Sequence, residues 1–319
     1  MRKLKYLVIF LLIGLWTPAP AAISVENIPP DSVWYFHADL VQMRTSPAGK
    51  PLYGWLQDEV LADIREDAGI DLDKEADTVT AFATPTAGIV LVIDGHISQV
   101  TKDKLLAMGA ATGSLNKLGS GDQAYYFIKG DGQHHEDAPA DGANAEGHHN
   151  NIDIDLESFE DGAYFSFAAK NKLIVTSTEA QMQSLLEKKG RIAVGKSQKG
   201  TLIVLGADRS LMQAGMKADE FGKRVNWDSN ILRNTEQAAV LVADAAGKLA
   251  IEAQLVTTEK EMAESLASIV RGLISLQIFN EDIDEDIGSF LQATKVDVND
   301  KTLIVRVELD PQVVVDTLE

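Results

Sequence analysis

Four histidines stand out for their chemistry. His134, His135, His148 and His149 form two adjacent pairs, with Glu136, Asp137, Asp141 and Glu146 between and beside them. Imidazole nitrogen is a good ligand for Zn, Ni or Cu, so two such pairs could close around one divalent transition-metal ion. The short fixed spacings of structural zinc sites are missing, however, and residues 130–151 contain no large apolar side chain. Nothing there offsets the entropy of ordering the chain, so the composition predicts a flexible insertion. Metal binding by these four histidines is one expectation; a plain solvated loop is the other.

A second constellation lies near the start. Tyr35, His37 and Asp39 alternate with Trp34, Phe36 and Ala38, which puts the polar three on one face of a strand. Such a trio could transfer protons, but it also suits a hydrogen-bonded patch beside a core. Other chemistry is poorly supplied. The chain has no cysteine, so thiol nucleophiles and disulfides are both excluded. None of the G-x-S-x-G, H-E-x-x-H, Walker A or G-x-G-x-x-G motifs occurs. Asp282, Asp284 and Asp286 alternate like the first ligands of a calcium loop, yet Ile287 and Ala293 stand where glycine and glutamate are required. Asn151, Asp153, Asp155 and Glu157 alternate with Ile152, Ile154 and Leu156, the pattern of a strand with an acidic outer face. An enzyme, such as a hydrolase of unrecognised type, is therefore the lesser expectation.

The first residues set the compartment. Arg2, Lys3 and Lys5 precede an apolar run over residues 7–15, and Ala19 and Ala21 follow in A-x-A relation. That is the order of a secretory signal, predicted to be cleaved after about Ala21. The apolar run is half of what a bilayer-spanning helix requires, about 20 residues. Loss of the three cations takes the formal net charge from −19 to −22. A surface that acidic repels nucleic-acid phosphates and anionic headgroups. The expected location is the periplasm or the exterior, with no membrane span after cleavage and an unidentified envelope protein or ligand as partner.

The elements that hold these residues recur. A strand, a tight turn, a second strand and a helix appear four times: strands at 78–84 and 88–94, at 163–168 and 172–176, at 238–244 and 248–256, and at 293–298 and 302–309. Each pair of units follows a strand and a helix, at 33–38 and 53–67 and again at 201–206 and 209–223. Gly, Asn and Asp at the turns tolerate positive φ. Thr178 with Gln181, and Thr258 with Glu261, read as capping boxes, and Asp310-Pro311 as an N-cap with first-turn proline. Met262, Leu266, Ile269, Val270, Leu273 and Leu276 share one side of a long helix, which predicts that this side lies on a sheet. The fold class expected is α+β: two related domains, residues 22–196 and 197–319, each βα plus two ββα units. Each is a largely antiparallel sheet with helices on one face.

Pro29-Pro30-Asp31, then Val33 to Asp39, then Ser46-Pro47-Ala48-Gly49-Lys50 and Gly69-Ile70-Asp71-Leu72 resemble the opening of uncharacterised secreted proteins of Gram-negative and planctomycete bacteria. The resemblance runs over most of the chain and implies the same hairpin-then-helix modules. It implies no activity and no catalytic residue. Taken together, the sequence predicts a non-enzymatic periplasmic or secreted binding protein, with metal handling through the His-rich loop or an unrecognised hydrolase as alternatives.

Overall fold

The computed structural model describes residues 28–29, 31–85, 88–111, 113–129, 162–187, 200–210, 234–278 and 285–318. The first strand, β1 (Trp34–Asp39), leads into helices α1 (Leu40–Thr45), α2 (Gly49–Leu56), a π turn (Gln57–Leu61), α3 (Ala62–Ala68) and α4 (Leu72–Glu75). The hairpin of β2 (Ala76–Thr84) and β3 (Gly88–Gly95) precedes α5 (Gln99–Ala111). Then come β4 (Leu115–Leu118), β5 (Tyr125–Ile128), β6 (Ala163–Ser166), β7 (Lys172–Thr176) and α6 (Glu179–Glu187). The later part holds β8 (Thr201–Asp208), β9 (Thr235–Ala245), β10 (Lys248–Thr257) and the long α7 (Lys260–Ile278). It closes with α8 (Glu285–Ala293), β11 (Lys295–Asn299), β12 (Thr302–Leu309) and α9 (Pro311–Leu318).

This is an α+β fold. The twelve strands of the described residues form one sheet in the order β11-β12-β10-β9-β8-β1-β2-β3-β7-β6-β5-β4, and the pairings are antiparallel. The strands before and after residue 196 meet along β1 and β8, so the two sets continue one another rather than stacking face to face. Outward from that seam the order is β1-β2-β3-β7-β6-β5-β4 on one side and β8-β9-β10-β12-β11 on the other.

Turn chemistry explains the hairpins. Asn171 and Asp300 take φ of 58° and 49°, and Gly247 takes 90°, as tight two-residue turns require. Ala246 does the same at 54°, although a Cβ makes that region costly.

The register sorts the two sheet faces. One row runs Ala81, Phe36, Leu205, Val240, Ala253, Val305, Val296 across seven strands without a polar side chain. The neighbouring row on the other face runs Thr80, His37, Val204, Leu241, Glu252, Arg306, Lys295, ending in charge. Apolar residues on the first face bury against helices. Leu40, Met43, Leu52, Tyr53 and Val315 of α1, α2 and α9 join Ala38, Leu202 and Leu249 in one cluster, and Leu266 and Ala267 of α7 meet Leu303 and Leu255. Helix α6 sits over the opposite face, where Met182 and Leu186 pack with Val92 and Ile174. It covers there the apolar end of a face whose other end carries the Arg306–Glu252 ion pair.

Candidate functional site

The alternation at β1 places His37 where no solvent reaches it, at 0% exposure. Its Nδ1 shares a hydrogen bond of 2.9 Å with Thr80 Oγ1, the residue opposite in register. Nε2 has no partner, nor does Thr78 Oγ1, one diagonal step along the same face. Burial pushes the imidazole pKa below its ordinary value, and the nearby Asp39 charge offsets this in part. The Asp39 carboxylate is itself engaged as a helix cap, accepting from Gln42 N at 2.8 Å, as expected for Asp at a helix start. Tyr35 lies against Gly206, where an added Cβ would collide with the ring, and burial raises its pKa. The three residues foreseen as a proton-transfer group thus share a strand face but divide into a cap, an enclosed imidazole and a packed ring. No substrate reaches His37 in this arrangement.

Sequence reasoning missed a second cluster. Arg44 donates to the carbonyls of Asp73 and Ala76 and lies 5.4 Å from the Tyr53 ring centre, while the Tyr53 hydroxyl donates to the Asp73 carboxylate. The Tyr53 pKa is pushed up to about 12, first by burial and then by that bond. These contacts clamp α1 and α2 to the start of β2. Asp244 clamps from the other side, accepting from Ala48 N at 2.7 Å and from Gly247 N at 3.1 Å. No local motif announces contacts between residues 196 apart in sequence. His96 is exposed in the bend after β3.

The largest departure from expectation is α7. Its buried residues are Ala263, Leu266 and Ala267, and Met262 and Val270 pack half-buried on the same cluster, so half of the expected side meets the sheet together with the neighbouring alanines. Ile269, Leu273 and Leu276, expected against the sheet, are 53%, 56% and 70% exposed. Five positions, Met262, Leu266, Ile269, Leu273 and Leu276, are spaced by four, three, four and three residues, the heptad interval of helix-to-helix seams. The seam begins in the core at Leu266 and runs out into solvent. Beside it stand Ser265, Ser268, Gly272 and Ser275, all exposed. The hydroxyls of Ser265 and Ser268 donate to the helix's own carbonyls at 2.7 and 2.9 Å. From residue 265 to residue 278 the only charged side chain is Arg271, which donates to Val296 O at 2.7 Å. An apolar stripe with so little charge can do one thing well, which is to bury against another apolar surface.

His134, His135, His148 and His149 lie outside the described residues, as do the signal segment, the acidic alternation at 151–157, Asp282, Asp284 and most of the helix expected over 209–223. Among the described residues no group of three or more His, Cys, Asp or Glu could hold a metal ion, and no helix is long and apolar enough to cross a membrane. No protein-family model matches the chain, and no curated protein matches it. Solved structures similar to it include three crystal forms of TP0453. Form I has 10% identity and a TM-score of 0.43 over 93% of this chain and 97% of that one. Form III gives 8% and 0.45 over 94% and 100%. Form IV gives 10% and 0.47 over 92% and 97%.

Proposed function

We propose that this chain is an exported, non-enzymatic interaction protein of the bacterial envelope, released by cleavage near Ala21, whose contact surface is the outer half of α7. The observation that carries the reading is the run of exposed aliphatic residues at Ile269, Leu273 and Leu276 on a helix already anchored by Ala263, Leu266 and Ala267. Among the described residues these side chains stay more than half exposed, and water does not favour them. The enclosed His37 supports the non-enzymatic part, since a catalytic imidazole must meet its substrate.

The scaffold belongs to the same proposal. Residues 22–196 and 197–319 are two copies of one ancestral unit. Support comes from the five strands nearest the β1–β8 seam on each side, β1-β2-β3-β7-β6 and β8-β9-β10-β12-β11, which follow corresponding orders; β5 and β4 extend the first side alone. Asp39 and Asp208 stand at the ends of those two strands and accept from Gln42 N and Ser210 N respectively.

The test is a photo-activated cross-linking residue placed at position 273, with position 187, exposed on α6, as control. In producing cells, the residue at 273 should give one or a few discrete adducts in the envelope fraction that are missing at 187. Equal, diffuse labelling from both positions would overturn the reading.

A further inference from the structure

We infer that Arg271 guards a free edge of the sheet: its guanidinium holds the backbone carbonyl about which β11 would otherwise pair with the β11 of a second copy of this chain.

Register shows which backbone groups of β11 are free. Among the described residues β11 is the last strand on its side of the sheet, with β12 beside it. The β11–β12 hairpin closes on the pair Asn299 and Thr302, around the turn Asp300-Lys301. The closing pair of a two-residue hairpin is hydrogen-bonded, and bonded and non-bonded pairs alternate from there. Asn299, Asp297 and Lys295 therefore bond to β12, while Val298 and Val296 aim their N–H and C=O groups away from it. Lys301 follows the same alternation on the neighbouring side, its carbonyl accepting from Thr257 N of β10 at 2.9 Å. The outward carbonyl of Val296 is the one that Arg271 of α7 takes, at 2.7 Å.

Charge makes this edge self-complementary. In an antiparallel pairing of two β11 strands with Val296 opposite Val296, the two valines exchange both of their N–H···O bonds. Lys295 of each copy then stands opposite Asp297 of the other, and opposite charges facing across strands stabilise a sheet. Both side chains are exposed on the unshared face. Within one copy Lys295 stands opposite Arg306, a like charge, and among the described residues no carboxylate forms an ion pair with it. A second strand supplies the carboxylate that Lys295 lacks.

An unpaired edge of this kind templates further strands unless something blocks it. Arg271 blocks it at the acceptor that would lie on the two-fold axis. That gives a purpose to the one charged side chain in residues 265–278.

Sedimentation velocity on the mature chain and on its Arg271→Ala variant, from about 1 to 500 μM, reads the guard directly. Arg271 is exposed, so the variant should keep the parent's circular dichroism spectrum. It should dimerise at concentrations at least about tenfold below any that dimerise the parent. The substitution removes a cation from an already acidic chain, so repulsion between copies rises and the gain is not an effect of net charge. Adding Asp297→Lys should abolish the dimers by setting lysine against lysine, and adding Lys295→Asp as well should restore them. Adding Leu273→Glu should leave them unchanged, because the exposed stripe of α7 takes no part. An Arg271→Ala chain no more associated than the parent, or dimers that survive Asp297→Lys, would overturn the inference. So would a doubly swapped chain that stays monomeric, or dimers lost with Leu273→Glu.

Discussion

Burial holds the His37 imidazole neutral in the folded chain, whereas an unfolded chain binds a proton there near pH 6.5. Because the folded pKa is the lower one, stability is full above about pH 6.5 and falls as pH drops from there toward the folded value. Denaturant titrations should lose stability as pH falls below about 6.5, and His37→Gln should flatten that slope. An unchanged slope in the variant would assign the loss to other groups. Ala246 gives a second test. Its φ of 54° costs an alanine about 1 kcal/mol, so Ala246→Asn should raise stability by about that much in thermal melts. At this scale the sequence was legible where chemistry is local. The Asn171, Asp300 and Gly247 turns and the placing of His37 with Tyr35 and Asp39 on one face follow from residue type and alternation. Arg44 with Tyr53 and Asp73, and Asp244 with Ala48, were illegible because those contacts exist only after distant segments meet.

Elements were legible as hairpins, since alternation and turn residues mark both ends of β2–β3, β9–β10 and β11–β12. The helix α7 was legible as a helix but not in rotation. Large apolar residues point to one stripe, and packing used Met262, Leu266 and Val270 from it together with Ala263 and Ala267, leaving Ile269, Leu273 and Leu276 outside. Short elements such as β4 and α8 were missed because a few residues carry too little periodicity. The seam between β1 and β8 depends on Gly206, whose missing Cβ leaves room for the Tyr35 ring. Gly206→Ala should destabilise the chain by about 2 kcal/mol, and Tyr35→Ala in the same chain should recover part of that loss. Simple additivity of the two effects in urea unfolding would show that the ring and the glycine are not coupled.

For the whole molecule, the hairpins that a linear pattern suggests join into one sheet through the β1–β8 pairing, and that edge-to-edge joining was not legible in the sequence. Metal binding by the His-rich segment, residues 130–151, has its own test. Isothermal titration with Zn, Ni or Cu at about pH 7.5, where free imidazoles are neutral, should find no binding tighter than about 100 μM. Tighter binding abolished by replacing His134, His135, His148 and His149 with Ala would make metal handling the better account. The central claim concerns α7 and is tested most directly by one double variant, Leu273→Glu with Leu276→Glu, in the mature chain. If those leucines serve contact and not folding, its unfolding free energy stays within about 0.5 kcal/mol of the parent, while adducts from a cross-linking residue at 269 disappear. A loss of several kcal/mol, or adducts that persist, would contradict the account.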